Sequence, residues 1–173
     1  MSKTRRITMS ALLLALAILF QNLRLLPFLA PSLPHSTLII GSLVNMTIII
    51  AVGYVGLGGS IAIAILAPLF AVLQGHLPNI ALAPVVMVGN AIMPLFWYIF
   101  NIKMNKISQF LSVIIGSCAK FLFLFLSVPL VYRAFVGPNV PALLLTSFSY
   151  PQLITALIGG TLAIIILRSL QKE

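Results

Sequence analysis

The chain has 173 residues, 61% of them hydrophobic and only 6% charged, with a mean hydropathy of +1.21. A soluble domain carries about 25% charged residues, so a soluble globular fold is excluded and an all-α integral membrane protein is expected. The net charge of +9 comes from 10 Lys and Arg against a single acidic side chain, Glu173, which removes carboxylate acid–base pairs, Asp or Glu proton relays and most metal sites.

A membrane-spanning helix needs about 20 apolar residues, and six apolar runs follow one another, the second and third of them short. The first, 8–23, is preceded by the basic start "MSKTRR". A secretory signal peptide has a similar beginning, but this run continues into "NLRLLPFLAPSLP" without a small-residue cleavage site, so it is expected to be the first span. A segment with Pro27, Pro31 and Pro34 comes next. The second helix, 38–54, ends in the glycine-rich turn "GYVGLGG". The third, 60–74, contains Pro68 and is followed by "GHLPN". The fourth, 80–101, has Pro84 and Pro94 as expected kinks. The polar loop "NIKMNKIS" leads to the fifth helix, 107–132, and the loop "RAFVGPNVPALLLTSFSYPQ" leads to the sixth, 151–170. The whole chain, 1–173, is expected to form one compact six-helix membrane domain.

With six spans, Lys3, Arg5, Arg6, Lys103, Lys106, Arg168 and Lys172 fall on one side, and only Arg24 and Arg133 on the other. The bias of Lys and Arg toward cytoplasmic loops then predicts that both termini are cytoplasmic. The positive balance is explained by topology and by attraction to anionic membrane lipid, with no nucleic-acid signature. The one cysteine, Cys118, lies in an apolar helix and supports neither a disulfide framework nor a zinc site.

Lys120, within "GSCAKFLFLFLSVPL", is the most unusual residue. A lysine inside the membrane costs about 2.5–3.5 kcal/mol and normally has a partner. At 1.5 Å per residue it lies about 21 Å above Lys106, and Asn90 lies about 20 Å above Lys103 on the neighbouring helix, in the outer half of a core about 30 Å thick. Gln21, Asn22, Gln74, His76, Asn79, Gln152 and Thr155 also lie toward outer helix ends, while Asn45 is near mid-membrane. This sorting predicts an outward-facing pocket closed from inside by apolar helices, since a pore needs polar lining through its full thickness.

Each polar residue also has a structural reading. Asn45 either lines the pocket or bonds a neighbouring helix. Asn90, after Gly89, either lines the pocket or caps a local break. His76 and Asn79 are pocket or plain loop residues. Phe148 and Tyr150 either stack on a ligand ring or join the outer aromatic belt, whereas Trp97 and Tyr98 suit the inner belt. "SCAK" matches the S-x-x-K spacing of serine hydrolases, but S-D-N and K-T-G are absent, so no catalytic residue is assigned. No G-x-x-x-x-G-K-[ST] loop is present to bind ATP phosphates. Ala11 and Ala15, four apart, share a face of the first helix and permit close helix approach.

The basic N-terminus, Ala11-x-x-x-Ala15, the proline-rich loop, "GYVGLGG", "VVMVGN" and "YPQLITALIGGTLA", in this order and in a chain of this size, resemble the substrate-binding S components of energy-coupling factor (ECF) transporters. The resemblance implies a multi-pass subunit of a prokaryotic cell membrane. It would capture a vitamin or related micronutrient with high affinity and deliver it by toppling against a transmembrane coupling subunit driven by two ATP-binding subunits. It implies a transport subunit, not an enzyme, with no cofactor and no metal. The implied substrate-binding residues are Asn45, Asn79, Asn90, Lys120, Tyr150 and Gln152, the lid loop is Pro31, Pro34 and His35, and Ala11 and Ala15 dock on the coupling subunit. Lys120 would then find its partner in a substrate carboxylate, phosphate or carbonyl; the alternatives are that it snorkels or bonds helix carbonyls, or that burial leaves it deprotonated. The competing functions are a membrane scaffold or assembly subunit, a stand-alone small-molecule facilitator, and a membrane enzyme using Ser117 and Lys120.

Overall fold

Lipid offers no partner to a backbone N–H or C=O, so an apolar chain that enters it becomes helical. The computed structural model describes residues 1–26, 34–77, 79–100 and 105–170, with the side chains of residues 34 and 35 outside the description, and no strand occurs among the described residues. The helices are α1 (Lys3–Asn22), α2 (Pro34–Tyr54), α3 (Leu57–Leu73), α4 (Ala83–Phe100), α5 (Lys106–Phe135), α6 (Ala142–Ser147) and α7 (Tyr150–Leu170). Five segments are long and apolar enough to cross a membrane, the last of them combining α6 and α7. The sixth apolar helix, α3, has 17 residues and measures about 26 Å, at the lower end of the spanning range.

Hydropathy marks apolar runs, and the helices outrun them. α1 starts at Lys3, where the Ser2 side chain accepts the backbone N–H of Arg5 at 3.3 Å. Charged residues end a hydropathy window without ending a helix. α5 is capped in the same way by Asn105, whose Oδ1 accepts the Ser108 N–H at 2.7 Å, and it continues to Phe135. Its 30 residues span about 45 Å, well beyond the hydrocarbon core. The loop expected after the fifth span contains a further short helix, α6, that begins directly after Pro141. Pro84 is the second residue of α4, in the first turn, where a missing N–H breaks no ladder bond; Pro68, Pro94 and Pro129 do lie inside helices.

The reversals use glycine where the backbone requires it. Gly56 links α2 to α3 with φ of 113°. Gly75, with φ of 69°, ends α3 in a Schellman motif: its own N–H donates to Val72 O at 3.0 Å and that of His76 to Ala71 O at 2.8 Å.

Helix packing gathers the basic residues at one end of the bundle. Arg5 Nη2 donates to the Tyr54 hydroxyl at 3.4 Å, which joins the start of α1 to the end of α2. Arg168 Nε donates to Gln109 Oε1 at 3.0 Å, and its guanidinium lies 5.4 Å from the Phe110 ring centroid, which joins the end of α7 to the start of α5. Gly53 packs against Leu167, tying these two corners together. Arg133 closes the opposite end of α5.

The α2–α7 contact positions the site. A Cβ on Gly159 of α7 would sit 2.8 Å from both Asn45 Cβ and Met46 N of α2, so only glycine lets the two backbones approach this closely. Around this seam Met46, Ile49, Met93, Trp97, Val113, Ala156 and Ile164 form the largest buried apolar cluster. Trp97 is therefore a core residue, 3% exposed, while Tyr98 is 59% exposed. On the other flank the Gln21 amide donates to Ala67 O at 3.2 Å, and Ser60 Oγ donates to Ile48 O at 2.7 Å, fastening α3 to α1 and α2.

Candidate functional site

A polar node crosses the middle of the bundle. Lys120, from α5, donates to Asn45 Oδ1 of α2 at 2.6 Å and to Asn90 Oδ1 of α4 at 2.8 Å. The Asn45 amide donates onward to Thr155 Oγ1 of α7 at 3.3 Å, and the Thr155 hydroxyl donates to Gln152 O at 3.1 Å. Four helices thus each contribute one side chain. All four are buried, with Lys120 only 2% exposed. The assignment of both lysine partners as carbonyl oxygens follows from the donor: an ammonium has three donors and no acceptor, so each asparagine turns its oxygen toward it and its NH2 away.

The node sits midway along the helices that supply it. Lys120 is central in α5, 14 residues from Lys106 and 15 from Phe135. Asn45 and Asn90 are central in α2 and α4. α5 is longer than the hydrocarbon core is thick, so distance from its first residue does not by itself give depth in the membrane.

The other expected site residues lie apart from the node. Asn79 Oδ1 accepts the Ala81 N–H at 2.9 Å and caps the short turn before α4. The Gln152 amide donates to Ser147 O at 3.1 Å and holds α7 against α6, so its backbone oxygen, not its side chain, belongs to the network. Tyr150 starts α7 and is 65% exposed. Pro31 lies outside the described residues, as do the side chains of Pro34 and His35. Thr155 was not among the expected binding residues. The signal that could have found it is its spacing from Gly159, four residues on and therefore on the same face of α7 as the glycine that admits Asn45.

Ala11 and Ala15 are exposed on α1, next to the exposed Ile7, Leu12 and Leu19. Ala11 and Leu14 border a groove of about 520 Å3 whose opposite wall is Gly58, Ala62 and Leu66 of α3. A second groove, about 430 Å3, lies between α5 and α6 and is walled by Phe125, Pro129 and Phe148, with Arg133 as its cationic residue. Neither groove touches Lys120, Asn45 or Asn90.

Near the end of α3, His76 has its pKa held below the ordinary imidazole value, first by burial and then by the nearby charge of Arg24. Its Nδ1 has no hydrogen-bond partner among the described residues.

The described helices thus form an apolar bundle with a closed polar centre and an exposed small-residue strip on its first helix. The family model of the ECF transporter substrate-specific component matches residues 5–170, nearly the whole chain, and the protein belongs to that family. Members are the transport subunits that give an ECF module its substrate. No curated protein and no solved structure matches the chain.

Proposed function

We propose that this chain captures a micronutrient from the outer face of a prokaryotic cell membrane, with both termini cytoplasmic, and hands it to an ECF coupling subunit powered by two ATP-binding subunits. The observation that carries the reading is the convergence of Asn45, Asn90 and Lys120 from three helices at the bundle centre. Buried polar side chains in a membrane bundle are expensive and mark substrate pathways. The lysine holds neutral oxygens only, which leaves it free to exchange them for groups of a ligand. Asn79, Gln152 and Tyr150 belong to the outer approach in this reading rather than to the centre.

Delivery follows from the other surface. Ala11 and Ala15 expose a flat, small-residue strip on α1 against which the coupling subunit packs, and the whole subunit topples to turn its centre toward the cytoplasm. The one-ended basic cluster of Arg5, Lys106 and Arg168 anchors the cytoplasmic side in anionic headgroups.

The test is a ligand inventory followed by uptake. The chain is purified in detergent and denatured, and co-eluting small molecules are identified by mass spectrometry. Proteoliposomes with and without the motor subunits are then given the molecule found. A near-stoichiometric small molecule with ATP- and motor-dependent uptake is the expected result. Uptake that persists without the motor would make the chain a facilitator, and conversion of the molecule to product would make it an enzyme.

A further inference from the structure

The central node is incompletely satisfied, and the missing part has a definite chemistry. An ammonium offers three donors. Lys120 uses two, to Asn45 Oδ1 and Asn90 Oδ1, and its third has no partner among the described residues. One turn earlier on the same helix, Ser117 is fully buried and its Oγ has no hydrogen-bond partner among the described residues. Residues three apart share a helix face, and a helical side chain leans back toward the N-terminus, so Lys120 reaches over the turn that carries Ser117. A buried serine in a membrane helix ordinarily donates to a carbonyl one turn back, as Ser42 does to Leu38 O at 2.7 Å. Ser117 forgoes that bond.

Two unfilled donors therefore sit on one buried turn of α5, in a chain whose single acidic side chain is Glu173 at its last position. No acceptor of negative charge within the described bundle answers the lysine: both of its partners are amide oxygens, which bond an ammonium without neutralising it. Buried charges are stable when paired and hydrogen-bonded. Asn45 and Asn90 supply dipoles, not a countercharge.

We infer that the transported substrate carries an anionic group, a carboxylate or a phosphate, whose oxygens accept hydrogen bonds from Lys120 Nζ and Ser117 Oγ, with Asn45 and Asn90 turning their amide groups to the rest of the molecule. This rests on the reading of the chain as a substrate-capturing subunit and narrows it to one substrate class. It also absorbs the Ser117-x-x-Lys120 spacing without chemistry: the serine is a donor to a bound anion, not a nucleophile.

The experiment uses the full chain in detergent and two probes prepared from a small-molecule extract of the host cells. One is the fraction retained by a strong anion exchanger at pH 8; the other is the flow-through. Thermal unfolding is followed with each fraction for the wild type, Lys120→Met and Ser117→Ala. Only the retained fraction is expected to raise the unfolding midpoint of the wild type. Lys120→Met should abolish the rise. Ser117→Ala, which deletes one atom that bonds nothing in the free protein, should leave the unliganded midpoint unchanged and raise the half-saturating dose about tenfold or more, the worth of one hydrogen bond to a charged group. Stabilisation by the flow-through alone would overturn the anionic class while leaving substrate capture intact. Stabilisation by the retained fraction that is equal in wild type and Ser117→Ala would overturn the Lys120–Ser117 site for the anion. Stabilisation by neither fraction would remove the capture reading itself, and this inference with it.

Discussion

Lys120 Nζ lies 2.6 Å from Asn45 Oδ1, a bond between residues 75 apart in sequence that fastens α5 to α2 at the centre of the bundle. Because Asn45 passes the chain on to Thr155, a change at either end of this relay is felt on a third helix. Interhelical hydrogen bonds in membrane proteins average about 0.6 kcal/mol, and about 1.7 at most, in double-mutant cycles. A cycle of Lys120→Met with Asn45→Ala should give a coupling near the top of that range, since the donor is an ammonium and the bond is short. The cycle of Asn45→Ala with Thr155→Ala, across 3.3 Å and between neutral groups, should give the smaller value. Equal couplings measured by reversible unfolding in detergent would show that the lysine bond is not the stronger link.

Glycine packing makes a sharper prediction. Gly159→Ala places a methyl 2.8 Å from Asn45 Cβ and Met46 N, so α2 and α7 must separate. Overpacking of this kind costs about 1–3 kcal/mol, and it displaces Asn45 from the node. Gly58→Ala is the control: a Cβ there meets nothing within 4 Å, and alanine is the better helix former by about 1 kcal/mol. Thermal midpoints should fall for the first variant and hold or rise for the second. Similar behaviour of the two would count against the close α2–α7 seam.

Ala11→Trp and Ala15→Trp separate docking from folding. Both positions are exposed, so the isolated chain should unfold at an unchanged temperature. Co-purification with a coupling subunit and its ATPases should fall sharply, and ATP-driven uptake with it. Undiminished assembly of both variants would move the docking surface off this face of α1.

The pH response has a sign that can be checked. The folded state holds the His76 pKa below its ordinary value, about 6.5. The unfolded chain therefore takes up the proton more readily, and folded stability, intact above pH 6.5, is lost as the pH falls from about 6.5 toward the depressed folded value. The midpoint measured from pH 7 to pH 5 should decline less steeply in His76→Gln than in wild type. Identical slopes would mean that His76 protonates freely in the folded protein.

Much of the fold was legible in the sequence, because membrane insertion is governed by apolar length, a one-dimensional property. The five long apolar segments and the shorter α3 stand where the runs of Leu, Ile, Val and Ala predict them. The resemblance to S components, carried by the order of Ala11-x-x-x-Ala15, "GYVGLGG" and "YPQLITALIGGTLA", agrees with the family to which the chain belongs. The helix ends were harder to read. α1 and α5 extend through charged or polar residues that cap and solvate a helix perfectly well, and α6 is too short for a hydropathy window to separate from its loop.

The sequence by itself determined that this is a helical membrane protein, that Lys120 stands inside an apolar helix, and that no internal carboxylate exists to meet it. Which residues meet Lys120 was decided only in three dimensions. In helices that are apolar on every side, periodicity does not reveal which face turns inward; the facing is set by close contacts such as that of Gly159 with Asn45. Those contacts brought Asn45 and Asn90 to the lysine and Thr155 to Asn45, from three other helices, and left Asn79 and Gln152 to cap the backbone, because a short amide at a helix end finds an unpaired N–H or C=O before it can reach the bundle centre.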